Sequence, residues 1–123
     1  MKINFKRIDH IQICIPENKE DEAKRFYIDT LGLREIPKPD YLKVNGGFWL
    51  EIADIQLHIG VEKDVAVSKR HPAFEIDQLL AVKEYLISKR ISIKEDKPIP
   101  GFERFSLYDP FGNRIELLER MTK

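Results

Sequence analysis

The sequence predicts an α+β fold made of two consecutive strand–helix–strand–strand–strand (βαβββ) modules, residues 7–61 and 71–120, within one domain over 1–123. Three observations predict it. Segments that alternate apolar and polar residues bracket two segments with apolar residues at helical spacing. The same order of segments occurs twice, separated by a polar, non-periodic linker over 62–70. The last two segments are joined by Asp109-Pro110-Phe111-Gly112-Asn113, a hairpin turn signal.

Residues 8–15 alternate strictly: Ile11, Ile13 and Ile15 face one way, His10, Gln12 and Cys14 the other. This is a strand with an apolar back and a polar front, ended by Pro16. Asn18 is the expected N-cap of the first helix, whose opening turn carries Glu20, Asp21 and Glu22, favourable for the helix dipole. Ala23, Phe26, Tyr27 and Leu31 form its apolar stripe, and Gly32 suits the position past its end. A short strand over 33–36 is broken by Pro37 and Pro39. Strands over 47–52 and 55–61 follow, joined by a turn at Ala53-Asp54. The second module repeats the order: a strand over 71–76; a helix capped by Asp77 with Leu79, Val82 and Leu86 on one face and Lys89 and Arg90 at its end; then strands over 91–94, 102–108 and 113–118.

The chain's 21 basic residues balance its 21 acidic ones, which gives no polyanion-binding signature, so nucleic acid is not an expected partner. No stretch approaches the roughly 20 apolar residues of a membrane span, and the N-terminal residues lack a signal peptide's apolar core. The single cysteine, Cys14, excludes an intrachain disulfide and a CxxC metal knuckle. A soluble cytoplasmic protein is the expectation.

The repeat places metal-competent residues at matching positions. His10 and His71 open the first strand of each module; His58 and Glu116 lie in the last strand of each. Parity puts His58 on a face with Gln56 and Glu116 on a face with Arg114, so the three histidines and Glu116 all point to the polar front. Imidazole and carboxylate together suit a divalent Zn, Ni, Co, Mn or Fe ion. A lone strand histidine is usually a hydrogen-bonded rim residue and a lone glutamate a solvated one; it is the paired placement that favours metal.

These residues carry a resemblance. Ile8-Asp9-His10-Ile11-Gln12, Phe26-Tyr27 with Leu31-Gly32-Leu33, Leu57-His58-Ile59-Gly60, His71-Pro72-Ala73-Phe74-Glu75-Ile76 and Asp109 to Leu117 resemble the vicinal-oxygen-chelate (glyoxalase/bleomycin resistance/dioxygenase) superfamily over nearly the whole chain. The resemblance implies a cupped mixed sheet around one site, metal ligands at His10, His71 and Glu116 with a fourth at His58, and a homodimer, in some members with ligands from both chains. It implies Lewis-acid chemistry, in which the ion chelates vicinal oxygens of a small molecule. A tetrahedral zinc held by all four residues would be closed and structural, so catalysis needs a five- or six-coordinate ion or a loose fourth contact.

Among the branches, glyoxalase I resembles the ligand positions but usually has glutamate where this chain has His58. That leaves Glu116 as the carboxylate able to alternate between ligand and base, the candidate catalytic residue. Fosfomycin-type thiol transferases resemble it at His10, His71 and Glu116, but the apolar, proline-rich stretch Lys97-Pro98-Ile99-Pro100-Gly101-Phe102 lacks their polar phosphonate loop. Extradiol dioxygenases need further histidines and are mostly twice as long. Bleomycin-binding members usually lack the metal ligands and act by sequestration. The expected activity is a metal-dependent lyase, isomerase or dioxygenase on a small oxygen-rich molecule, with non-catalytic drug binding as the alternative. Gln12, Trp49, Arg104 and Tyr108 are the candidate substrate-binding residues on the front face, with Cys14 and Glu51 beside them. Arg104 suits a substrate carboxylate or phosphate as well as a surface pair with Glu103. Trp49 suits a pocket wall, a core or an interface, and Cys14 reads as a small filler rather than a reactive thiol.

Overall fold

The computed structural model describes residues 1–121 and comprises two compact units, Met1–Lys63 and Asp64–Lys123. In the first unit β1 (His10–Pro16), α1 (Glu20–Lys24), β2 (Arg34–Ile36), β3 (Phe48–Ile52) and β4 (Ile55–Glu62) form a four-stranded mixed sheet in the order β1-β4-β3-β2. In the second, β5 (Ala73–Glu75), α2 (Leu79–Ser88), β6 (Ile93–Glu95), β7 (Phe102–Tyr108) and β8 (Arg114–Arg120) form another in the order β5-β8-β7-β6. In each sheet the first strand runs parallel to the last and the other pairs are antiparallel. The repeat of order in the sequence is therefore a repeat of topology.

Strand alternation sorts the faces as expected. Ile13, Ile15, Phe48, Leu50, Leu57 and Ile59 are buried along the back of the first sheet; Phe105, Leu107, Ile115 and Leu117 are buried along the back of the second. Burying each such side chain contributes about 1.5–3 kcal/mol. The helices supply Ala23, Phe26 and Tyr27 in one unit and Leu79 and Leu86 in the other. Both modules seat the helix with the same device. Lys24 Nζ lies 5.2 Å over the Phe48 ring and pairs with Glu35 of β2. Lys83 Nζ lies 5.8 Å over the Phe105 ring and pairs with Glu95 of β6. A lysine ammonium thus lies over a phenyl ring of an inner strand while pairing with a carboxylate of the neighbouring edge strand.

The helix starts differ from expectation. Asn18 does not cap α1: it has φ 62°, a left-handed turn, whereas a capping residue needs extended backbone. Lys19 precedes the helix instead, without a side-chain cap. Asp77 does not cap α2 either. Gln78 precedes it at φ 57°, and the Glu119 carboxylate of β8 accepts hydrogen bonds from the Gln78 and Leu79 amides, both 3.0 Å. A partner some forty residues away in sequence does the work expected of a local one. After Lys24 the first helix widens to π geometry over Arg25–Thr30, with the Leu31 amide bonding the Phe26 carbonyl at 2.9 Å.

Several boundaries also move. β1 begins at His10 and includes Pro16; β5 is three residues long, leaving His71 outside it; and the segment after Pro39 forms a 3₁₀ helix, Asp40–Asn45, that nothing in the pattern announced. The Asp109–Asn113 turn forms as expected. Asp109 Oδ1 accepts from the Phe111 and Asn113 amides at 2.9 and 2.8 Å, and Gly112 supplies φ 89°. At Gly47, φ 81°, an added Cβ would lie 2.0 Å from the Ile59 carbonyl oxygen, so β3 and β4 close together only with glycine there.

Candidate functional site

On the second unit's front face, β7 and β8 set Ser106 opposite Glu116 and Tyr108 opposite Arg114, with Arg104 on the same side. Glu116 is buried. The Glu116 amide donates to the Pro72 carbonyl at 3.0 Å, which brings the start of β5 alongside and His71 with it. His71 Nε2 then stands 3.1 Å from Glu116 Oε1, and His71 Nδ1 2.7 Å from the Lys69 carbonyl oxygen. A carbonyl only accepts, so Nδ1 carries the hydrogen. In neutral imidazole Nε2 then presents a lone pair to the carboxylate. Two acceptors at that distance call for a cation between them, either a proton or a metal ion. Neighbouring ligands on one ion with bonds near 2.1 Å stand about 3.0–3.4 Å apart, so the 3.1 Å separation fits a shared metal.

Glu116 belongs to a larger charged cluster. Arg104 donates from its NH1 group to Glu116 Oε1 at 3.1 Å and from Nε to the Lys97 carbonyl at 2.9 Å. Asp96, its side chain only 3 % exposed, accepts from Ser106 Oγ at 2.6 Å and from Arg114 at 3.0 Å, with Arg104 4.0 Å away. Arg114 also donates to Ser106 Oγ at 2.9 Å. Arg104 therefore pairs with Glu116 and Asp96 rather than with Glu103. It also lines a cavity of about 280 Å³ that is bounded by Leu79, Leu80 and Lys83 of α2 and by Phe105, and that neither Glu116 nor His71 lines.

The first unit's front face is built of rings. Trp49 lies opposite His58 in the register and stacks on it at 4.0 Å with planes 3° apart; His10 stacks on the other side of His58 at 4.1 Å and 15°. His10 Nδ1 donates to Asp9 Oδ1 at 2.9 Å, which holds the Asp9 carboxyl below its ordinary range and leaves His10 Nε2 with the lone pair. A carboxylate behind a histidine in this way is the arrangement found behind metal-bound imidazoles. His58 Nε2 donates to Gln56 Oε1 at 2.9 Å, leaving Nδ1 with the lone pair. Burial pushes the His58 pKa down and neighbouring His10 adds to this, so the ring stays neutral, the form that binds metal.

Two cavities flank this stack. One of about 240 Å³ is lined by Gln12, Lys38, Asn45, Trp49, His58 and Gly60. The other, about 490 Å³, is lined by Asp9 and Gln56, the hydrogen-bond partners of the two histidines, with Arg7, Glu51 and Asp54. Gly60 leaves room for Gln12, whose amide an added Cβ would meet at 2.7 Å.

The structure thus brings together His71, Glu116 and Arg104 in one unit, and His10, His58 and Trp49 in the other. Gln12 and Trp49 line one cavity; Tyr108 lies on the front beside Arg114. Among the described residues, no group of three or more His, Cys, Asp or Glu side chains is gathered as a metal site. Sequence reasoning missed Asp9, Gln56 and Asp96. Asp9 lay within a quoted motif, next to His10, and Gln56 was noted only as sharing a face with His58. Asp96 sits in the run Lys94-Glu95-Asp96-Lys97, which reads as a solvated loop. Burial and Glu62 raise the Cys14 thiol pKa, which keeps it in the unreactive form at neutral pH.

Residues 7–117 match the family model of the Glyoxalase/Bleomycin resistance protein/Dioxygenase superfamily. The chain belongs to this superfamily. Among solved structures, a glyoxalase family protein from Bacillus anthracis is 42% identical, with a TM-score of 0.92 over 98% of this chain and 100% of that one. A glyoxalase/dioxygenase from Nostoc punctiforme is 22% identical (TM-score 0.78, 97% and 94% covered), and an antibiotic binding protein from Streptomyces sp. CB03234 is 21% identical (TM-score 0.76, 98% and 100% covered). These last two share the superfamily's fold. No curated protein matches the chain in sequence. No helix among the described residues is long and apolar enough to cross a membrane.

Proposed function

We propose that this superfamily member is a metal-dependent lyase, isomerase or dioxygenase acting on a small oxygen-rich molecule, with His10, His58, His71 and Glu116 as ligands of a divalent Ni, Zn, Co, Mn or Fe ion. The observation that carries this reading is the pair of acceptors His71 Nε2 and Glu116 Oε1 at 3.1 Å, with the other histidine nitrogen committed to the Lys69 carbonyl. His10 supports it, since Asp9 fixes its tautomer with Nε2 available.

Bound there, the ion would supply Lewis acidity toward vicinal oxygens of the substrate. The chain's own residues do the rest. The Lys69 carbonyl and Asp9 orient two imidazoles; Trp49 and His10 hold the His58 ring flat between them. Glu116 is the group able to exchange a proton with substrate at its carboxylate oxygens. Gln12, Trp49, Arg104 and Tyr108 contact the substrate, and the working form is a cytoplasmic homodimer. Plasma mass spectrometry of protein purified without chelators tests the reading: the expected result is stoichiometric metal. Protein that is metal-free and also refuses added Ni, Mn, Fe and Zn contradicts it.

A second reading, a small-molecule-binding protein without turnover, is favoured by the fold shared with the antibiotic binding protein and by the aromatic Trp49–His58–His10 stack beside open cavities. Metal-free protein whose unfolding temperature rises with added aromatic ligands would establish it.

A further inference from the structure

The segment between β2 and β3 and the front of the first sheet share the cavity of about 240 Å³. The segment contributes Lys38, Leu42 and Asn45; the sheet contributes Gln12, Trp49 and His58. Gly46 and Gly47, at φ 74° and 81°, give the turn that returns the chain to β3. Lys38 Nζ donates to the Gly46 carbonyl at 2.5 Å, which closes the segment on itself. An ammonium has three donors, and this bond uses one. Lys38 is half-buried. Lys24, Lys43 and Lys83 each pair with a carboxylate. Among the described residues none pairs with Lys38, and neither aspartate nor glutamate lines the cavity. Glu20, whose carboxylate reaches this turn, accepts from the Gly47 amide at 3.2 Å and stays outside the lining. A partly desolvated cation without a counter-charge is a site that a ligand anion completes.

The other walls narrow the class. Trp49 has one ring partner among the described residues, His58, and presents an indole to the cavity. A planar ring suits it. An indole also attracts cations, but the Lys38 ammonium repels them. The volume is below the roughly 300–1,000 Å³ of sites for drug-sized ligands, so it suits one ring with one charged group. We propose that this cavity is a subsite for a small planar carboxylate, with Lys38 pairing with its charge and Trp49 providing the surface against which its ring lies. The proposal rests on the reading, common to both functions above, that the first unit's front takes a small molecule; it names that molecule's class and requires no metal. Gln12 and Asn45 carry amide donors at the cavity wall for the second carboxylate oxygen.

The test is calorimetric titration of the full chain with benzoate, neutral benzamide and non-planar cyclohexanecarboxylate, read in parallel by fluorescence of Trp49, the chain's one tryptophan. Wild type is expected to bind benzoate about tenfold tighter than benzamide, with a change in Trp49 emission, and to bind cyclohexanecarboxylate more weakly than benzoate. Lys38→Gln keeps a donor for the Gly46 carbonyl and loses the charge. It is expected to bind benzoate no better than benzamide, with benzamide affinity unchanged, whereas Lys38→Arg keeps the preference. A lysine that only braced the loop would weaken both probes alike or neither, and either result overturns the proposal. So does a benzoate preference that survives Lys38→Gln, which assigns the anion to another cation. Benzoate binding without a change in Trp49 emission, or cyclohexanecarboxylate binding as tight as benzoate, overturns it as well. If Lys38→Gln fails to fold, the wild-type comparison decides: equal affinity for benzoate and benzamide, or no benzoate binding, overturns the subsite. Metal content of the same preparation then shows separately whether the metal reading stands.

Discussion

The two units carry the same strand order and the same lysine–phenylalanine–glutamate device, yet their front faces hold a metal-competent side chain by opposite means. His58 is held by ring stacking between Trp49 and His10 and by one neutral hydrogen bond to Gln56. Glu116, at the matching strand position, is held by charge: Arg104, His71 and, through Arg104 and Ser106, Asp96 and Arg114. Duplicated topology therefore fixes where a side chain points without fixing what surrounds it. The ring-held site offers a neutral donor that needs no counter-charge. The charge-held carboxylate already has a cation beside it, the Arg104 guanidinium 3.1 Å away.

The comparison is most exposed at Asp96. Asp96→Ala leaves two largely buried arginines without their shared carboxylate and is expected to cost about 3–5 kcal/mol in urea unfolding. Gln56→Ala, at the corresponding support of His58, removes a neutral hydrogen bond and is expected to cost about 1 kcal/mol. Equal losses would break the distinction between the two faces. The helix starts give a smaller contrast. Glu119→Ala removes the acceptor of the Gln78 and Leu79 amides at the start of α2 and should cost about 1 kcal/mol, whereas Asn18→Gly, in a left-handed turn that caps nothing, should change stability by less than about 0.5 kcal/mol.

The smallest expected effect is in pH dependence, measured on chelator-treated protein. The folded His58 pKa lies below its unfolded value because burial disfavours the imidazolium. As pH falls from 7 toward 5 the unfolded chain takes up the proton first, so stability present above the unfolded pKa is lost on acidification. His58→Gln should flatten that part of the wild-type stability curve. An unchanged slope would mean that the stacked ring is not held neutral.

Much of this was legible in the sequence, and the reasons are physical. Strand parity depends only on a period of two, so the front placement of His10, His58, Arg104 and Glu116 followed from counting. The Asp109–Asn113 turn is local chemistry, written in five adjacent residues. What failed depended on distant partners. Asn18 and Asp77 have the composition of caps, but Asn18 entered a left-handed turn, and α2 is capped by Glu119 from β8, a strand some forty residues on in sequence. Asp96 looks like a surface charge until β7 and β8 bring two arginines to it. The π-helical turn over Arg25–Thr30 and the 3₁₀ segment Asp40–Asn45 left no periodic trace.

The central claim is that the charge-held carboxylate is a metal ligand and that the ring-held histidine assists it. Metal content by plasma mass spectrometry on wild type, Glu116→Gln and His58→Ala tests this most directly. The account predicts stoichiometric metal in wild type, its loss in Glu116→Gln and retention with weakened affinity in His58→Ala. Metal retained in full by Glu116→Gln would contradict it.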